Sequence, residues 1–227
     1  VMGIGPILSW GKTNIFEIFR KIFPVIIITL VITIIFLYIF KSYNLAGALG
    51  LILAFWIIFN NIFSLIKYPE KKLISMHTAH IGIGLIILGI TGSSIWQEEK
   101  ILKMKVNDKI MVKEHTIILE KLNEIKAINY IALRGNFLIY DNNKKLVAKL
   151  KPENRFYPIT NNFTTEASIH TNLFRDLYIV LGEGNLEKGW TVRIYHNPLV
   201  IWIWIGAITV FLGGILLTIT NLRKIKN

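Results

Sequence analysis

Cysteine is absent from the 227 residues. Disulfides, a Cys-x-x-Cys redox centre and thiolate metal sites are therefore excluded within this chain. Acidic side chains are scarce: 14 Asp and Glu stand against 26 Lys and Arg, a formal net charge of +12. The excess does not point to nucleic acid, because no basic–aromatic repeat, zinc spacing or nucleic-acid motif accompanies it. No small-residue cleavage site follows the first apolar block, which is also too long for a signal peptide. Internal repeats and low-complexity tracts are missing as well.

What the chain has is apolar sequence in blocks. It is 53% hydrophobic with a mean hydropathy of +0.50, which marks a membrane protein. Residues 22–40 carry no charge, and residues 45–66 hold only Asn60, Asn61 and Ser64 as strongly polar breaks. Residues 79–96 and 199–220 form a third and a fourth block. Each is near the roughly 20 residues a helix needs to cross about 30 Å of hydrocarbon. The opening "VMGIGPILSW" reads as the end of a preceding apolar helix, with Gly5-Pro6 ending it and Trp10 at the interface. A fragment, or one half of a longer or split protein, is expected.

Basic residues orient the spans. Lys12, Arg20 and Lys21 precede the first, Lys67, Lys71 and Lys72 separate the second from the third, and Arg223, Lys224 and Lys226 follow the fourth. The turn between the first two carries only Lys41. The positive-inside rule puts those three clusters inside and residues 97–197 outside, since long domains translocate largely regardless of charge. The expected order is the end of a preceding span and an inner loop (1–21), three spans (22–96), an external domain (97–197), a last span (198–220) and a basic inner tail (221–227).

The external segment reads as β-rich. Residues 116–122 and 129–140 have strand composition, the turn "DNNK" follows at 141–144, and 145–150 returns as the partner strand. Residues 176–182 and 189–196 form a second pair. Trp190, Val192 and Ile194 alternate with Thr191, Arg193 and Tyr195, as in a strand with one buried face.

The third span opens with "SMHTAHIGIGLIILGITG" at 75–92. His77 and His80, three apart, share one helical face. Intramembrane ionisable residues are functional candidates, and a neutral imidazole is a good axial ligand for haem iron. Gly82, Gly84, Gly89 and Gly92 follow, and small residues let another helix or a flat cofactor approach the backbone. Interhelical hydrogen bonds from both histidines are the alternative reading.

Six stretches carry a resemblance. "GIGPILSWGK" (3–12), "AHIGIGLIILGI" (79–90), "KPENRFY" (151–157), "TTEASI" (164–169), "RDLYIVLGE" (175–183) and "WTVRIYHNPLVIWIWIG" (190–206) resemble, in order, elements of the C-terminal third of the CcmF family, the haem lyase membrane component of cytochrome c maturation. The resemblance implies a polytopic α-helical membrane protein of about four spans, plus the end of a missing one. An external β-rich domain is inserted before the last span. It implies haem b as cofactor, with His80 as one axial ligand to the iron; His77 has no counterpart in the resemblance, and it, Gly82 and Gly84 are further cofactor-binding candidates from the residues themselves. The second axial ligand, and the tryptophan-rich segment that holds substrate haem, would lie upstream and outside this chain. The implied function is that of a part of a cytochrome c-type biogenesis haem lyase, inactive alone. Its implied partners are the upstream portion of the same protein, a haem chaperone, apocytochrome c and its thiol-reducing partners. The implied location is a bacterial inner membrane with residues 97–197 in the periplasm, or else a mitochondrial inner membrane.

Several readings remain open at this level. A membrane electron-transfer subunit would need a second intramembrane ligand, and a structural scaffold would need no haem. Trp202 and Trp204 fit an interfacial belt and point to different sides of a helix. Glu166, Arg175 and Asp176 are expected in structural ion pairs, or at a docking surface for the chaperone or apocytochrome. His115, His170 and His196 are expected to be exposed or hydrogen-bonded.

Overall fold

A computed structural model describes residues 15–41, 43–67 and 73–226. The GPILSW element with Trp10, and the basic residues Lys12, Lys71 and Lys72, lie outside the described residues, as do the side chains of Lys21, Arg223, Lys224 and Lys226. The chain divides into two compact units: the helices, and residues Gln97–Asn197.

The helical unit contains α1 (Ile15–Ile39), α2 (Leu45–Lys67), α3 (Ile74–Ile95) and α4 (Ile201–Lys226). All four are long and apolar enough to span a bilayer. Helix α2 starts where the Asn44 side-chain oxygen accepts the Ala46 and Gly47 amides at 2.8 and 3.2 Å, an N-cap that satisfies otherwise orphaned donors. Successive helices run antiparallel. Phe36 of α1 meets Phe55 of α2 edge-on at 5.0 Å, and Phe40 stacks on Trp96 at 4.5 Å. Leu51, Ala54, Phe55, Ile58, Leu88, Trp96 and Leu199 form the shared apolar centre. Large apolar side chains such as Ile34, Leu49, Phe211 and Leu217 stay exposed, as lipid-facing residues do.

Helix α3 lies between α2 and α4, and its small residues set both separations. A Cβ built on Gly82 would lie 2.7 Å from the Gly206 carbonyl oxygen, and one on Gly89 2.6 Å from Ile203. On the α2 side, a Cβ on Gly84 would meet Ile58 at 2.5 Å. Another helix thus fills the space beside Gly82 and Gly84, the first of the two occupants their small size allows.

The second unit holds ten strands: β1 (Glu98–Met104), β2 (Lys109–Val112), β3 (His115–Lys126), β4 (Ile131–Tyr140), β5 (Leu146–Leu150), β6 (Glu153–Tyr157), β7 (Asn162–Glu166), β8 (Ser168–Thr171), β9 (Arg175–Asn185) and β10 (Gly189–Pro198). They form a four-stranded sheet, β1-β10-β9-β8, and a six-stranded sheet, β2-β3-β4-β6-β7, with β5 also on β4. The β4–β5 hairpin and the β9–β10 pair form as their sequences lead one to expect. Val192 and Ile194 are buried while Thr191 and Tyr195 are half-buried and Arg193 is exposed. Leu177, Ile179, Leu181, Val192 and Ile194 of one sheet share a core with Ile117, Leu119, Phe137 and Ile139 of the other. The unit is therefore a β-sandwich.

Candidate functional site

The two histidines of α3 meet one side chain of α2. Asn61 is fully buried, and its Nδ2 donates to the Ile57 carbonyl of its own helix at 2.8 Å. That bond turns the amide oxygen toward α3. His77 Nδ1 lies 2.8 Å from Asn61 Oδ1 and His80 Nδ1 lies 3.3 Å from the same atom. An oxygen only accepts, so each Nδ1 must carry the proton, and in a neutral imidazole Nε2 then keeps the lone pair. One carbonyl oxygen has two lone pairs and can serve both rings.

The rings differ in access. His77 is 1% exposed, while His80 is half-buried. Both make the interhelical hydrogen bond that is one reading of these residues, but the bond uses only Nδ1. Such bonds contribute on average about 0.6 kcal/mol in a membrane, a small return for two imidazoles in one span. A ring held through Nδ1, with a free Nε2 and some accessible surface, has the chemistry of a metal-ligating histidine. His80 has the Nδ1 contact and the access, and its Nε2 has no hydrogen-bond partner among the described residues; His77 lacks the access. Asn61 went unnoticed in the sequence as a functional residue. The available signal was a carboxamide in an apolar span next to a span with two histidines.

Tryptophans 202 and 204 fall on different sides of α4: Trp202 packs partly buried against the helical core, and Trp204 is 66% exposed.

In the sandwich, three resembling elements form polar clusters. Glu153 of β6 is buried and accepts from Arg134 Nε at 2.6 Å and Arg155 Nε at 2.8 Å. Burial alone would raise the Glu153 carboxyl, but the hydrogen bonds from Arg155 and Arg134 outweigh it and hold it below the usual range. Arg155 also pairs with Glu166 of β7 at 3.4 Å, the structural role expected of Glu166. Arg175 and Asp176 do not pair with each other. Alternation on β9 turns Arg175 inward and leaves Asp176 half-buried.

The inward Arg175 is hydrogen-bonded to His115 Nε2 on β3, and its Nη1 lies 3.4 Å from His170 Nδ1 on β8. His115 and His196 are buried rather than exposed. The buried Arg175 guanidinium thus contacts two imidazoles, with the Glu114 and Asp176 carboxylates acting on it as well. Burial first, and Arg175 after it, lower the pKa of His115 and of His170, and burial is also the leading cause at His196. Among the described residues, no cluster of three or more His, Cys, Asp or Glu side chains could hold a metal ion.

The chain has relatives. Residues 95–198 match the family model described as the CcmF C-terminal beta-sandwich. The "Cytochrome c-type biogenesis protein CcmF" of Escherichia coli (strain K12) is 33% identical over 227 residues, covering 95% of this chain and 34% of that protein. Its counterpart in Pseudomonas fluorescens is 26% identical over 238 residues, or 100% of this chain and 36% of that one. A mitochondrial protein of Marchantia polymorpha is 47% identical over 66 residues, 29% of this chain and 20% of that protein. The chain thus spans 34–36% of the length of these two bacterial relatives. A solved structure, "Cytochrome c Heme Lyase CcmF", superposes with a TM-score of 0.72 at 14% identity, over 95% of this chain and 37% of that one. At that identity the likeness is one of fold, and it covers spans and sandwich together. The chain belongs to the CcmF family, to whose C-terminal part it corresponds.

Proposed function

We propose that the chain is part of a cytochrome c-type biogenesis haem lyase, in which it supplies one axial ligand of a b-type haem. The observation that carries this reading is the state of His80: Nδ1 engaged by Asn61 at 3.3 Å, Nε2 left with its lone pair, and the ring only half-buried in an intramembrane helix. That donor suits one axial position of a haem iron. His77 shares its helical face, so the two cannot take opposite sides of one iron. The second ligand then comes from a portion of the family that this chain does not span.

A b-type haem supplies one-electron chemistry, and thioether formation on an apocytochrome requires the substrate haem to be reduced. The residues of this chain bind and orient. His80 would hold the iron through Nε2. The glycines of α3 bring α2 and α4 close on either side of that helix. The apolar helices exclude water from the site. Residues 97–197 lie on the periplasmic face of a bacterial inner membrane, or the corresponding outer face of a mitochondrial inner membrane. There they face the haem chaperone, the apocytochrome and its thiol reductants.

The test uses the assembled protein, purified and examined by reduced-minus-oxidised difference spectroscopy. His80→Ala should abolish or strongly diminish the b-haem signal and impair cytochrome c maturation. His77→Ala should retain most of both. Full haem retention in His80→Ala, or equal loss in the two variants, would refute the assignment.

A further inference from the structure

We propose that Asn61 is a positioning residue that fixes the proton and the ring plane of His80, with His77 as its competing partner. For the arms that involve iron, the inference rests on the reading of His80 as a haem ligand.

The Asn61 amide is preorganised. Asn61 is fully buried and its amide is already committed to the Ile57 carbonyl, so the oxygen cannot rotate away without breaking that bond. It presents an acceptor to Nδ1 of both rings. An acceptor on the far nitrogen selects the tautomer, fixes the plane and raises the basicity of the ligating nitrogen. The sharing is unequal: His77 is the nearer donor at 2.8 Å and His80 the farther at 3.3 Å. His77 therefore draws on the acceptor strength that would otherwise go to His80. A buried, inaccessible histidine beside an accessible one then has a role: it moderates the donor strength of its neighbour.

This yields effects of opposite sign. Removing the acceptor, Asn61→Leu, should make His80 a weaker donor and raise the midpoint potential of the haem. Removing the competitor, His77→Leu, should strengthen the Asn61–His80 bond and lower that potential. A residue that merely packs the helices would not produce opposite shifts in two neighbours. Loss of such a supporting group weakens metal affinity by about 10–100-fold, and a haem affinity loss in that range is expected for Asn61→Leu.

The first measurement needs no haem. Nitrogen-15 spectra of the histidine-labelled, haem-free chain should show His77 and His80 with the proton on Nδ1, and Asn61→Leu should mix the tautomers of His80. Asn61→Asp, which keeps an acceptor, should preserve them and serves should the leucine variant not fold. An Nε2-protonated His80 in the unaltered chain would overturn the clamp itself. The second measurement is a redox titration of the assembled, haem-loaded protein with Asn61→Leu and His77→Leu. Shifts of opposite sign support the proposal, and unchanged or same-sign shifts overturn it. Failure of the ligand reading shows separately, as an undiminished b-haem in His80→Ala alongside a correct tautomer result.

Discussion

Gly82 and Gly206 face each other where α3 crosses α4, so closely that a Cβ on Gly82 would lie 2.7 Å from the Gly206 oxygen and one on Gly206 2.6 Å from the Gly82 oxygen. Neither backbone can yield without parting the helices. Overpacking of this kind costs about 1–3 kcal/mol. Gly82→Leu should therefore lower the thermal unfolding midpoint of the detergent-solubilised chain by several degrees. Gly214, with nothing within 4 Å of its built Cβ, provides the control: Gly214→Leu should leave the midpoint unchanged. Equal effects would show that close approach is not what Gly82 provides.

The sandwich around Arg175 should be sensitive to acid. His115, His170 and His196 all have lowered pKa values, with burial the leading cause. The charges around them are Arg175, Glu114, Asp141, Asp176, Lys113 and Glu98. Unfolded histidines titrate near about 6.5, so just below that pH the unfolded chain binds more protons than the folded one. The stability tied to these groups is complete above that value and is lost as pH falls through the folded values. Amide exchange in β3, β9 and β10, corrected for intrinsic rate, should be slower at pH 7.5 than at pH 5. Replacing His115 and His196 by Gln should flatten the dependence; an unaltered dependence in that double variant would contradict it.

Orientation can be tested cleanly because the chain has no cysteine of its own. Single cysteines at Asn142, in the β4–β5 turn, and at Lys67, at the end of α2, should differ toward an impermeant thiol reagent in intact cells. The proposal requires labelling at position 142 and none at 67. The reverse pattern would overturn the placement of residues 97–197.

The parts legible in the sequence are those where one physical requirement dominates a stretch. Uninterrupted apolar runs reveal the spans, and the alternation around Val192 and Ile194 reveals β10. Strand β1 is not legible in that way: its burial alternates, but at this sheet edge Glu98 and Lys100 are half-buried, Ile101 is exposed and only Met104 of its seven residues is buried. The site was half legible. His77 and His80 stand out within an apolar helix, but Asn61 reads merely as a polar break. Its role depends on which face of α2 meets α3, and on the helix separation that Gly84 sets. The meeting of His115 and Arg175 likewise depends on how β3 of one sheet faces β9 of the other, which no local pattern encodes.

The central claim is that this chain carries one half of a b-haem site, with His80 as its ligand. The most direct measurement is a reduced-minus-oxidised difference spectrum of the purified chain, alone and co-expressed with the portion of a CcmF-family protein that it does not span. The account predicts little or no bound haem in the chain alone and a low-spin, bis-histidine b-haem spectrum when both portions are present. A stoichiometric low-spin b-haem in the chain alone would contradict it, because both axial ligands would then lie within these 227 residues.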